Sequence, residues 1–127
     1  MAYLWVALGS GLGGVARFGL GMLAARLWGE QFPWGTLVIN IVGSFIIGVF
    51  AALTAATGPW HASLNLRIFV MVGLCGGFTT FSSFSLTTFH LAREGNWLGA
   101  GANILLSVGL CLLAVSFGVL FAERLRF

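Results

Sequence analysis

Four long apolar runs, joined only by short connections, limit what this chain can fold into more than any other feature. They extend roughly over Tyr3–Leu27, Gly35–Thr57, Leu66–Ala92 and Leu98–Phe121, with connections at Trp28–Trp34, Gly58–Asn65 and Arg93–Trp97. A helix that crosses a bilayer needs about 20 mostly apolar residues, and each run meets that length. In hydrocarbon, only a helix or a closed barrel satisfies its own backbone hydrogen bonds. The expected fold is therefore all-α: a single membrane domain over residues 1–127 with four transmembrane helices. The connections leave no room for a soluble domain. Charge supports this, because only 7% of the residues are charged, where a soluble domain carries roughly 25%. The mean hydropathy is +1.03. The first run lacks a basic start and is too long for a cleaved signal peptide, so it reads as a retained span.

Tryptophan and arginine mark the span ends. Trp5, Trp28, Trp34, Trp60 and Trp97 all fall at or near ends, as an interfacial aromatic belt requires. The net charge of +3 comes from scattered arginines and no lysine. No basic stripe tracks a phosphate backbone, which excludes nucleic acid as a partner. Four spans place Arg67, Arg124 and Arg126 on one side and Arg26 and Arg93 on the other. That bias is too weak to fix orientation, so copies inserted both ways up are expected. Cys75 and Cys111 lie within spans and lack the company a zinc site needs. His61 and His90 read as interfacial.

Gly9, Gly11 and Gly14 match a dinucleotide fingerprint in letters, but not the strand–turn–helix context it requires. Packing explains the glycines better. Gly9, Gly13, Arg17 and Gly21 recur every four residues and share one helical face, and small residues there let helices approach closely. Arg17 lies far inside its span, where a charge costs at least about 2.5 kcal/mol. It either snorkels to an interface or faces an aqueous vestibule and concentrates anions.

Thr36, Asn40 and Ser44 make a polar stripe on the second span, and Asn103, Ser107 and Cys111 make another on the fourth. Each is either interhelical glue or a row of donors, with the Asn40 amide able to donate to an anion. The third span carries GLCGGFTTFSSFS over Gly73–Ser85. Gly76-Gly77 should interrupt the helix, and a break frees carbonyls that can coordinate a cation. Gly76 and Thr79 are the expected carbonyl donors. One chain supplies too few oxygens for a closed shell, whereas two copies about a twofold axis would supply four. Past the break, the hydroxyls either bond back to the helix or serve a passing ion. Phe81 and Phe84 are three apart and face similarly. They are core or lipid contacts, or they turn partly positive ring edges toward an anion.

With these motifs in hand, the chain resembles the Fluc (CrcB) family of fluoride channels. The match rests on GGVARF, GTLVINIVGSFIIG, GLCGGFTTFSSFS and the fourth-span stripe, in that order and covering nearly the whole chain. The resemblance implies a passive fluoride channel in a bacterial plasma membrane, exporting fluoride that entered as the neutral acid. It implies a dual-topology, antiparallel homodimer with two pores, and a structural sodium ion held by backbone carbonyls at the third-span breaks. Residue by residue, Gly76 and Thr79 match the sodium positions, and Phe81 and Phe84 the paired pore phenylalanines. Asn40 matches the pore asparagine, Thr36 the hydroxyl one turn before it, Ser107 a pore serine and Arg17 the vestibule arginine. Ser82 and Ser83 fall in the polar run between the phenylalanines. Two positions depart from the family pattern: Thr87 stands in place of a glutamate, and Asn103 in place of a tyrosine. The alternatives are a small four-helix drug or cation transporter, which wants a membrane-embedded carboxylate absent here, and a non-transporting membrane assembly subunit. No nucleophile–base pair points to an enzyme.

Overall fold

A computed structural model describes residues 1–125. Arg126, counted above on the side of the termini, lies outside the described residues. All four spans are helical, and each is long and apolar enough to cross a membrane. Helix α1 is Ala2–Trp28 and α2 is Trp34–Leu53. The third span, Leu64–Arg93, is divided. Its first part, α3, covers residues 64–78, and its second, α4, is Phe81–Arg93. Helix α5 is Trp97–Arg124. The chain is a multi-pass membrane protein.

The span ends follow local chemistry. Ser63, Thr80 and Asn96 each cap the helix that follows by accepting a backbone N–H, which satisfies donors a helix start leaves open. Gly29 and Gly95 take positive φ in the tight connections, a conformation glycine adopts without strain. Helix α2 stops at Leu53, four residues short of the Thr57 end expected from hydropathy. There Thr54 turns its hydroxyl back onto the Phe50 carbonyl at 2.7 Å, and the Arg67 guanidinium donates to the Thr54 carbonyl. A cation at a helix C-terminus is favourable, so Arg67 serves as a cap as well as a charge at the interface.

Two seams hold the bundle. In the first, α1 lies directly on α3, backbone against backbone. A side chain at Gly9 would come within 2.5 Å of the Phe69 carbonyl, and one at Gly77 within 2.5 Å of the Ser10 carbonyl. Gly13 and Gly73 meet the facing backbone in the same way. The shared face expected for Gly9 and Gly13 is thus the α1–α3 contact. In the second seam, α2 packs on α5, with Gly48 against Val115 and Gly118 against Phe45. Within α3, residues Ile68–Cys75 wind with the wider π-helical pitch, a departure that often accompanies functional sites.

The break in the third span does not fall at Gly76-Gly77. Both glycines are helical, in the short stretch Gly76–Phe78. The chain opens two residues later, where Thr79 (φ −83°, ψ 158°) and Thr80 (φ −150°, ψ 113°) are extended. The glycines serve close approach instead: Gly77 touches Ser10, and Gly76 presents an open face. The β-branched threonines, stiff and at ease in extended backbone, carry the interruption.

Candidate functional site

The break is held open by one side chain. The Asn40 amide pairs with Thr80 as a strand would. It donates from Nδ2 to the Thr80 carbonyl at 3.0 Å and accepts the Thr80 N–H on Oδ1 at 2.8 Å. In a continuous helix the Thr80 N–H would serve the Gly76 carbonyl, four residues back. Likewise the Ser83 N–H, due to the Thr79 carbonyl, goes to Thr80 Oγ1 at 3.2 Å. The Gly76 and Thr79 carbonyls therefore both lose their helical donors, and the Phe78 carbonyl between them loses its own in the same way. A third carbonyl, that of Gly77, accepts Arg17 Nε at 3.1 Å. Arg17 thus reaches the break from α1 and keeps its terminal amino groups for other use.

Two cavities, mostly apolar but each carrying polar side chains, share Thr80 in their lining. One, of about 460 Å³, is lined by Arg17, Thr36, Ser83 and Thr87, with Thr80 at its inner end. Glu30 and Trp34 stand at its interfacial side. The other is a groove of about 420 Å³, lined by Asn40, Ser44, Gly76, Thr79, Phe81, Phe84 and Ser107, again with Thr80. The stripe Thr36–Asn40–Ser44 runs through both, and Thr80 belongs to both. Ser82 lines neither cavity; it is exposed beside Thr80, its hydroxyl 3.3 Å from Thr80 Oγ1.

The hydroxyls divide into those already committed and those that are not. Thr79, Ser85 and Thr88 bond back to the carbonyls of Cys75, Phe81 and Phe84. Thr80 donates to Ser83 Oγ at 3.1 Å, which leaves the Ser83 proton available. Thr36, Ser44 and Thr87 have no hydrogen-bond partner among the described residues, and all three line the two cavities. Phe81 and Phe84 lie side by side, ring centroids 5.3 Å apart and planes tilted by 45°. They differ in cover, since Phe84 is 9% exposed and Phe81 76%. The groove is open along the surface where Phe81 stands.

The fourth-span stripe turns inward. Asn103, 1% exposed, is the largest fully buried side chain. It donates to Thr88 Oγ1 at 2.9 Å and accepts the Ser107 hydroxyl at 3.2 Å. Two residues of the site escaped the sequence argument as individuals. Thr80 carried a legible signal, since a threonine opening a new helical stretch is a cap. Thr88 carried none beyond membership of a hydroxyl run. His61 and His90 are exposed, and the described residues contain no group of three or more His, Cys, Asp or Glu placed to hold a metal ion.

Such a bundle, four apolar helices with the third span broken inside it, defines a polytopic membrane protein. Residues 4–119 match the family described as CrcB-like protein, Camphor Resistance (CrcB), and the chain belongs to that family. Curated relatives agree over nearly their full lengths. A protein of Methylocella silvestris named fluoride-specific ion channel FluC is 55% identical over 99% of this chain and 96% of its own length. One of the same name from Opitutus terrae is 57% identical over 98% of this chain and 94% of its own. A third, from Paramagnetospirillum magneticum, is 54% identical over 93% and 92%.

Proposed function

We propose that this chain is one half of a passive, fluoride-selective channel, in which two copies packed antiparallel enclose two ion paths. The observation that carries the reading is that two cavities, each holding uncommitted hydroxyl or amide donors, share Thr80. Fluoride is small and strongly hydrated, so a path for it must replace water's protons at close range. Arg17 draws anions into the outer cavity. Thr36, Ser83 and Thr87 offer hydroxyl protons there. Past Thr80, the second N–H of the Asn40 amide and the edges of Phe81 and Phe84 carry partial positive charge. Among the described residues no charged side chain lines the inner groove, so binding stays weak enough for release. The work is transport down a gradient, not catalysis.

The same geometry supports a second copy. In one protomer the groove opens beside the exposed Phe81, leaving polar groups and freed carbonyls toward hydrocarbon, where each unsatisfied group costs several kcal/mol. A partner laid head to tail covers that face. The Gly76 and Thr79 carbonyls of two copies fit a monovalent cation such as sodium, since they are neutral oxygens relieved of helical donors and no carboxylate is at hand. When bound, the ion supplies positive charge that ties the two breaks together. The setting is a bacterial inner membrane, and the role is release of fluoride that entered as the neutral acid.

Purified protein reconstituted in liposomes tests this. Fluoride efflux read by an ion-selective electrode should greatly exceed chloride efflux and need no energy source. Vesicles that hold fluoride while passing an organic cation would overturn the reading.

A further inference from the structure

The fourth-span contacts form a directed chain. The Ser107 hydroxyl donates to Asn103 Oδ1, Asn103 Nδ2 donates to Thr88 Oγ1, and Thr88 Oγ1 donates to the Phe84 carbonyl at 2.7 Å. Each hydroxyl has a single proton, so in this direction the Ser107 proton is committed to Asn103. Ser107, which lines the groove, then turns only lone pairs toward it, and lone pairs repel an anion.

The chain can also run the other way. If the Asn103 amide turns over, Nδ2 donates to Ser107 Oγ and Oδ1 accepts the Thr88 hydroxyl. Ser107 then points its proton into the groove. The two directions differ in heavy atoms only by the exchange of Asn103 Oδ1 and Nδ2, and they keep nearly the same number of hydrogen bonds. Reversal gives up only the Thr88 hydroxyl's bond to the Phe84 carbonyl, which the helix ladder of α4 also serves.

We propose that Asn103, with Thr88, is a positioning residue whose amide reversal switches Ser107 from acceptor to donor when fluoride occupies the groove. The proposal rests on the fluoride-channel reading above. It assigns Asn103 a role through Ser107 rather than contact with the ion. Thr88 is essential because only a hydroxyl can accept from Asn103 in one state and donate to it in the other.

The test is a double-mutant cycle on fluoride flux in liposomes, with the assembled protein checked by size-exclusion chromatography. Asn103→Leu should lower flux about tenfold, the value of one hydrogen bond to a charged group. Ser107→Ala should do the same, and the double variant should be no worse than either alone. Thr88→Val should match Asn103→Leu, while Thr88→Ser should restore wild-type flux and the wild-type half-saturating fluoride concentration. If Asn103→Leu does not assemble, Thr88→Val against Thr88→Ser, each also made on Ser107→Ala, decides alone. Additive losses, or equal loss in Thr88→Ser and Thr88→Val, would overturn the relay while leaving a conducting wild type as a fluoride channel. A wild type that passes no fluoride would sink both.

Discussion

The two asparagines deep in this bundle do opposite kinds of work. Asn40 grips backbone: its amide is matched to the N–H and carbonyl of Thr80. A peptide group cannot exchange donor for acceptor, so Asn40 has one orientation. Asn103 grips hydroxyls, on Thr88 and Ser107, and a hydroxyl can do either. Side chains of the same chemistry thus make a rigid splice on the α2 side and a reversible link on the α5 side. What decides between them is the partner, not the amide.

The largest expected effect breaks the rigid side. Asn40→Ala removes both bonds to Thr80 and a donor to the ion, and should lower fluoride flux by at least about a hundredfold. Asn40→Asp should be as severe, because a carboxylate oxygen would face the Thr80 carbonyl. A conducting, fluoride-selective Asn40→Asp channel would show that the splice is dispensable.

Next comes Gly43, on the same side, where a side chain would collide with the Thr79 methyl group. Gly43→Ala should lower the thermal stability of the assembled protein, by about 1–3 kcal/mol if overpacking is the cause. Adding Thr79→Ser removes that methyl but keeps the hydroxyl bonded to Cys75, and should restore most of the loss. No rescue would place the strain elsewhere.

On the reversible side, Phe84→Ile and Phe81→Ile each remove a ring edge, and flux should fall about tenfold. Phe84, being buried, should also lose thermal stability, whereas Phe81 should not until two copies meet. Full flux in both variants would take the rings out of the ion path. The smallest effect is expected at the entrance. Arg17→Gln should slow flux a few-fold at low ionic strength, with the difference shrinking at about 1 M salt, where the screening length is about 3 Å.

Much of this was legible in the chain. Helix positions followed from apolar runs and tryptophans, and a close-packing face on α1 from glycines four apart, though not which helix it meets. Thr36, Asn40 and Ser44 lay on one face as periodicity requires. The location of the break was not legible, because Gly76-Gly77 has two uses and only the position of Ser10 decides between them. The pairing of Asn40 with Thr80 was hidden by a sequence separation of 40 residues. Asn103 with Thr88 was hidden differently: the tight turn after α4 sets their register, and neither periodicity nor composition encodes it. The π-helical stretch Ile68–Cys75 left no trace, since its residues are as apolar as any α-helical span.

The seam between α1 and α3 has a mechanical consequence. Where main chain rests on main chain, few bulky side groups intervene (the Trp5–Phe69 ring pair is one), and sliding or tilting must lift one rod off the other. Large swings of those rods are costly, and the cheap movements near the ion are small ones: a ring turning, an amide rolling over, a hydroxyl spinning. A conduit of this construction works as a stiff sleeve with moving trim, and its throughput responds to atoms rather than to domains.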